Sequence, residues 1–104
     1  MAIKFEVNNA DEFEKMVNYK DIRISEALVR TVLKNLKSNK RHHHALSVLC
    51  IEEDSIYDIT IDKRDFQHTL ETTLPSFERE ERYEECSKII EALKYLKSKG
   101  KKKK

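Results

Sequence analysis

Residues 45–62, ALSVLCIEEDSIYDITID, constrain the fold more than any other stretch. Two runs rich in β-branched and aromatic residues flank the polar segment Glu52-Glu53-Asp54-Ser55, the pattern of a β-hairpin. With those four residues as the loop, Ile51 faces Ile56, Cys50 faces Tyr57, Val48 faces Ile59 and Leu46 faces Ile61. Side chains alternate along a strand, so Leu46, Val48, Cys50, Tyr57, Ile59 and Ile61 share one apolar face. A one-residue slip brings Asp58 onto that face, so the pattern selects against it. The opposite face pairs Ser47 with Thr60 and Leu49 with Asp58. It also carries an apolar patch, Leu49, Ile51 and Ile56, to be covered either by a helix or by a partner.

The remaining elements follow from periodicity and caps. Ile3, Phe5 and Val7 alternate in AIKFEV, a first strand over residues 2–7. Asn9 with Glu12 three residues on forms a capping-box pattern that opens a short helix over residues 10–19, with Phe13, Met16 and Val17 as its stripe. Residues 20–24 read as a connector whose Ile22 and Ile24 plug the domain edge. Ser25 caps a helix over residues 26–38 with the stripe Leu28, Val29, Val32, Leu33 and Leu36. After the hairpin, Asp62 caps a helix carrying Phe66, Leu70 and Leu74. Pro75 predicts a break at Leu74, and the last helix then spans Ser76–Ser98 with the seam Tyr83, Cys86, Ile89, Ile90, Leu93 and Leu96. The expected fold is α+β, two-layered, in the order β-α-α-β-β-α-α. A small three-stranded antiparallel sheet, of undetermined strand order, carries helices on its apolar face. The expected core is Ile3, Phe5, Val7, Phe13, Leu28, Val32, Leu36, Leu46, Val48, Ile59, Ile61, Phe66, Leu70, Ile89 and Leu93.

Length and charge bound the function. The 104 residues suit one domain, over residues 1–98, followed by a disordered lysine-rich tail at residues 99–104. No run reaches the ~20 apolar residues of a membrane span and no signal-peptide core is visible, so a soluble cytoplasmic protein is expected. The net charge of +2 conceals a division. Six of the 21 basic side chains lie in residues 97–104, which leaves 15 against 19 acidic ones, a body near −4. The sole glycine lies in the tail, so phosphate-cradling glycine loops and nucleophile elbows are excluded. Cys50 and Cys86 fall on apolar faces and read as free buried thiols.

Three groups of residues are candidates for chemistry. Arg30, Lys34, Lys37 and Arg41 recur at spacings of four, three and four. If the helix continues they form one basic stripe able to track phosphates, with the lysine tail as an auxiliary. The competing reading is a solvated helix face. His42-His43-His44 points alternately to both faces of a strand, so at most two can share a metal. Asp65 and His68 are conceivable additions, but no recognised ligand spacing joins them, and neither a metal nor another cofactor is assigned. The carboxylates Glu52, Glu53, Asp54, Asp58, Asp62 and Asp65 sit in solvated turns where nothing tunes them, so an enzyme is the weakest class.

The segment Glu81–Leu93, ERYEECSKIIEAL, resembles the UVR-type helical motif, which couples subunits of excision-repair nucleases and recurs in protease-adaptor proteins. Tyr83, Cys86 and Leu93 match its aromatic, small and apolar positions, whereas Ile90 stands where the motif usually has Arg. The resemblance implies a helix that packs antiparallel to another helix. The layout of IYDITID, DFQHTLETTL and ERYEECSKIIEAL is similar to small proteins of large tailed bacteriophages. That similarity implies a regulatory, host-directed binder acting in the host cytoplasm, with no functional residue to carry over.

The leading expectation is a non-enzymatic protein-binding or regulatory protein that uses Leu49, Ile51 and Ile56. Its partner is another protein or a second copy, as a homodimer. The alternative is a nucleic-acid-binding protein that uses the basic stripe, against which stand the acidic body and the lack of interleaved aromatics.

Overall fold

The chain folds in the order β1 (Ile3–Val7), α1 (Ala10–Asn18), α2 (Ile22–Lys34), β2 (His42–Cys50), β3 (Ser55–Asp62), α3 (Phe66–Arg79) and α4 (Tyr83–Lys101), with one 3-10 turn at Lys63–Asp65. This architecture comes from a computed structural model, which describes residues 3–19 and 21–101. Helix α4 runs through Lys101, into the stretch read as a tail. Residues 102–104 and the side chain of Ile3 lie outside the described ones. Among the described residues no helix is long and apolar enough to cross a membrane.

The expected β-α-α-β-β-α-α order holds, and the fold is α+β. The sheet is mixed rather than wholly antiparallel: in the order β1-β2-β3, β1 runs parallel to β2, and β2 antiparallel to β3. The reason is the connection. Residues 8–41 carry two helices, enough chain to return to the starting end of the sheet, which is what a parallel neighbour requires.

The hairpin register departs from expectation by two residues. The turn is residues 51–54, with Asp54 left-handed at φ 49°, and Leu49 pairs with Ile56, Val48 with Tyr57 and Leu46 with Ile59. Moving a four-residue turn back by one position shifts every pair by two, which preserves the faces. A second irregularity does change them. Ala45 is an extra residue between His44 and Leu46, so both Ala45 and Leu46 are buried, His43 turns inward, and His44 turns outward.

Helix boundaries also differ. Helix α2 starts one turn earlier than expected. Asp21, not Ser25, is its cap and accepts from the Arg23 N–H at 2.9 Å, while Ile24 and Ser25 are buried within the helix. Pro75 does not break the chain. It lies inside α3 on the exposed side together with Glu71, whose carbonyl loses its partner where the loss costs least. The break comes at residues 80–82. Glu81 adopts φ 57°, the Arg82 N–H donates to the Phe77 carbonyl at 2.9 Å, and the Glu81 N–H donates to that of Glu78 at 3.0 Å. Those two bonds are a Schellman closure.

The core has two clusters joined by Leu28 of α2. One packs Val7, Leu46, Val48 and Cys50 of the sheet against Ile24 and Ala27, with Phe5, Phe13, Met16 and Ile59 at its margin. The other joins Val29 and Val32 to Ala45, Ile61, Phe66, Leu70, Phe77, Ile89 and Leu93. Leu36 is only partly buried, at that cluster's margin. Phe77, 1% exposed, was missing from the expected core because a helix break at Pro75 obscures its register with Leu70 and Leu74. The α4 seam reduces to Cys86, Ile89, Leu93 and Leu96, since Tyr83 and Ile90 are exposed.

Candidate functional site

The sheet face turned away from the two clusters carries Lys4 and Glu6 from β1, Ser47 and Leu49 from β2, and Ile56, Asp58 and Thr60 from β3. Only Ser47 and Leu49 of these are half-buried; the rest are exposed. Among the described residues no helix covers the expected apolar patch. Leu49 lies directly across from Ile56, and Ile51 and Ile56 are 54% and 58% exposed at the hairpin end.

That end is anchored. The Ile51 and Glu52 N–H groups donate to the Val7 and Asn8 carbonyls at 2.9 and 2.8 Å, which continues the β1–β2 ladder into the turn. Asn9 Oδ1 accepts from the Glu12 N–H at 2.9 Å, as its capping role requires. The Glu12 carboxylate reaches back to the Asn8 N–H, also at 2.9 Å. Glu53 accepts from the Ala10 N–H at 3.4 Å, which sets a negative charge at the positive start of α1. Tyr57 donates its hydroxyl to Glu53 at 2.9 Å, and this bond to a carboxylate holds its pKa above the ordinary value.

Further along the same face the bulge at Ala45 assembles a group that spacing alone conceals. Residues three apart on a regular strand point to opposite faces, yet His44 Nε2 lies 3.0 Å from Ser47 Oγ. Ser47 donates to Asp58 Oδ1 at 2.6 Å, and the same histidine nitrogen is 3.4 Å from that oxygen. The Ser47 hydrogen bond, followed by His44, holds the Asp58 carboxyl below its usual range. In a hydrolytic triad the imidazole takes the serine proton and the carboxylate holds the other ring nitrogen. Here the carboxylate receives the serine hydrogen bond itself and Nε2 faces both partners, so the trio pins β2 to β3. His43 is buried against the Phe66 ring, and its Nε2 meets the Lys40 carbonyl at 3.0 Å. A carbonyl only accepts, so that nitrogen carries the proton. Among the described residues no cluster of His, Cys, Asp and Glu is placed to hold a metal ion. Cys50 and Cys86 are buried and unpaired, and burial raises both thiols.

The basic stripe is divided. Arg30 and Lys34 lie on α2 and Lys37 in the turn after it, and all three are exposed. Arg41 lies beyond the helix, where its Nε donates to Asp62 Oδ2 at 3.0 Å. Asp62 also accepts from the Arg64 N–H at 2.9 Å. That bond, with the two guanidinium groups, lowers its pKa to about 2. Arg30 and Lys34 line a groove of about 520 Å³ between α2 and α4 that Lys88 also lines, and Lys37 lines an adjoining hollow of about 410 Å³. Arg82 closes one end, ion-paired to Glu26 and Glu85 and 5.7 Å over the Phe77 ring. Sequence reading passed over Arg82 because its partners lie on three different helical segments.

Comparison with models of known protein families, with curated proteins and with solved structures finds no significant match to this chain. Function therefore rests on the chemistry of these surfaces.

Proposed function

We propose that the protein is a small non-enzymatic binding module whose docking surface is the hairpin end of the uncovered sheet face. One observation carries this reading. Ile51 and Ile56 present exposed apolar surface next to Leu49, on a turn held by backbone bonds to Val7 and Asn8 and by its own Glu52 and Glu53 carboxylates, which accept from Asn9 and Ala10 at the start of α1. A pre-organised apolar surface binds without the ordering cost of a loose loop. Covering what remains exposed of the two isoleucines contributes on the order of 2–3 kcal/mol. That is insufficient alone. The free side of edge strand β3 adds backbone pairing, and a second copy of the chain is the simplest partner because such a strand can pair with its own symmetry mate.

The titratable groups support a non-enzymatic role. Asp58 and Asp62 are shifted towards the carboxylate and Cys50 and Cys86 towards the neutral thiol, away from general-acid and nucleophile duty at neutral pH. A nucleic-acid role is disfavoured because Arg41, one of the four cations of the stripe, is committed to Asp62 and lies beyond the helix that carries Arg30 and Lys34.

The test is Ile51→Thr with Ile56→Thr. The doubly substituted chain keeps its circular dichroism spectrum and melting temperature but loses assembled mass by light scattering. Unchanged mass together with unchanged partner capture overturns the proposal.

A further inference from the structure

We infer that the α2–α4 groove is a second docking surface, separate from the hairpin end, for an acidic amphipathic helix of a protein partner. The argument is charge against an apolar floor. Leu33 and Leu36 are half-buried along the groove, so a strip of apolar surface remains open between the two helices. Arg30 and Lys34 rise on one side of it and Lys88 on the other, and among the described residues none of the three makes an ion pair.

The acids nearby do not cancel them. Glu26 and Glu85 share the single charge of Arg82, and with Glu91 they make three carboxylates against the five cations Arg30, Lys34, Lys37, Arg82 and Lys88 along the groove. A groove with a net positive lining on a chain whose body is acidic marks a place for an anionic ligand. The four-residue spacing of Arg30 and Lys34 on α2 matches that of acids along one helical face, and their aliphatic stems extend the apolar floor. Helix-in-groove recognition needs this combination. A single-stranded nucleic acid stacks on open aromatic faces instead, and the half-buried Tyr95 ring in this groove has Lys37 Nζ 5.9 Å from its centroid.

The probes are synthetic helical peptides of about 20 residues, long enough for appreciable helicity. One has Leu along one face and Glu beside it, one replaces Glu by Lys, and one replaces Leu by Gln. Each is titrated into the full chain by fluorescence anisotropy, alongside a labelled oligothymidylate. The Leu/Glu peptide binds, the Leu/Lys peptide does not, and the Gln/Glu peptide binds roughly tenfold or more weakly. Affinity for the Leu/Glu peptide falls with salt and drops about tenfold or more in Arg30→Glu with Lys34→Glu. Lys88→Glu, on the facing helix, weakens it in the same direction and serves if the double variant does not fold. Ile51→Thr with Ile56→Thr leaves it unchanged, which separates this inference from the hairpin surface. No binding of the Leu/Glu peptide, equal binding by the charge-reversed chains, or loss on the hairpin substitutions overturns it. So does tighter binding of the oligothymidylate that the same charge reversals abolish.

Discussion

Glu81 is a position where a single change should make this protein more stable. It sits at φ 57° between α3 and α4, in the left-handed conformation that ends many helices and that glycine usually occupies. An L-residue there loses about 1–2 kcal/mol to the approach of Cβ to the carbonyl. Glutamate has no side-chain hydrogen bond to make up for it among the described residues, and it is exposed, so Glu81→Gly removes no packing. Against the relief stands the extra freedom of glycine in the unfolded chain, about 0.4–1 kcal/mol. The net expectation is a stabilisation of about 0.5–1 kcal/mol, or roughly 2–8 °C in Tm for a domain of this size. Thermal melts followed by circular dichroism measure it, with Glu81→Ala as the control that keeps Cβ and leaves Tm near the parent. A Glu81→Gly chain that melts at or below the parent refutes the argument, because the Schellman closure and the strain at Glu81 are then not what ends α3.

Other substitutions probe different parts of the same structure. Ser76→Ala removes a buried hydroxyl that has no hydrogen-bond partner among the described residues and should stabilise by about 1 kcal/mol in urea denaturation; a loss of stability contradicts it. Phe77→Ala should cost about 3–5 kcal/mol, whereas Tyr83→Ala, six residues on and 64% exposed, should stay within about 0.5 kcal/mol, a contrast that a helix break at Pro75 does not produce. Asp62 has a folded pKa of about 2 against the ordinary carboxylate value of 3.8. Its contribution is therefore complete above about pH 4 and is lost as pH falls towards 2. Asp62→Asn should lower stability at neutral pH and flatten the acid limb of a pH series between those values; a parallel acid limb counts against the assignment.

The legible parts of the chain were those governed by neighbours a few residues apart. Asn9 caps α1 through Glu12, both cysteines are buried, and the alternation in residues 45–62 marked the inward face of the hairpin. The two-residue register error shows where such reading stops. Side chains repeat with a period of two, so both registers hide the same residues, and only the turn conformation at Asp54 distinguishes them. Of the candidate sites, the Leu49, Ile51 and Ile56 patch was visible because alternation flagged apolar residues on the wrong side. Its exposure was not, since whether a helix lies over a sheet face is a question about distant chain.

By itself, then, the sequence determined the order of elements, most of the core and an apolar set left over on the outer sheet face. Only the tertiary structure decided the parallel placement of β1, the gathering of His44, Ser47 and Asp58, the removal of Arg41 to Asp62, and the groove shared by Arg30, Lys34 and Lys88. Each of these depends on a bulge, a crossover or a helix end that brings distant residues together. Helical and strand periodicity record which side of an element is buried, and carry no information about which element lies opposite.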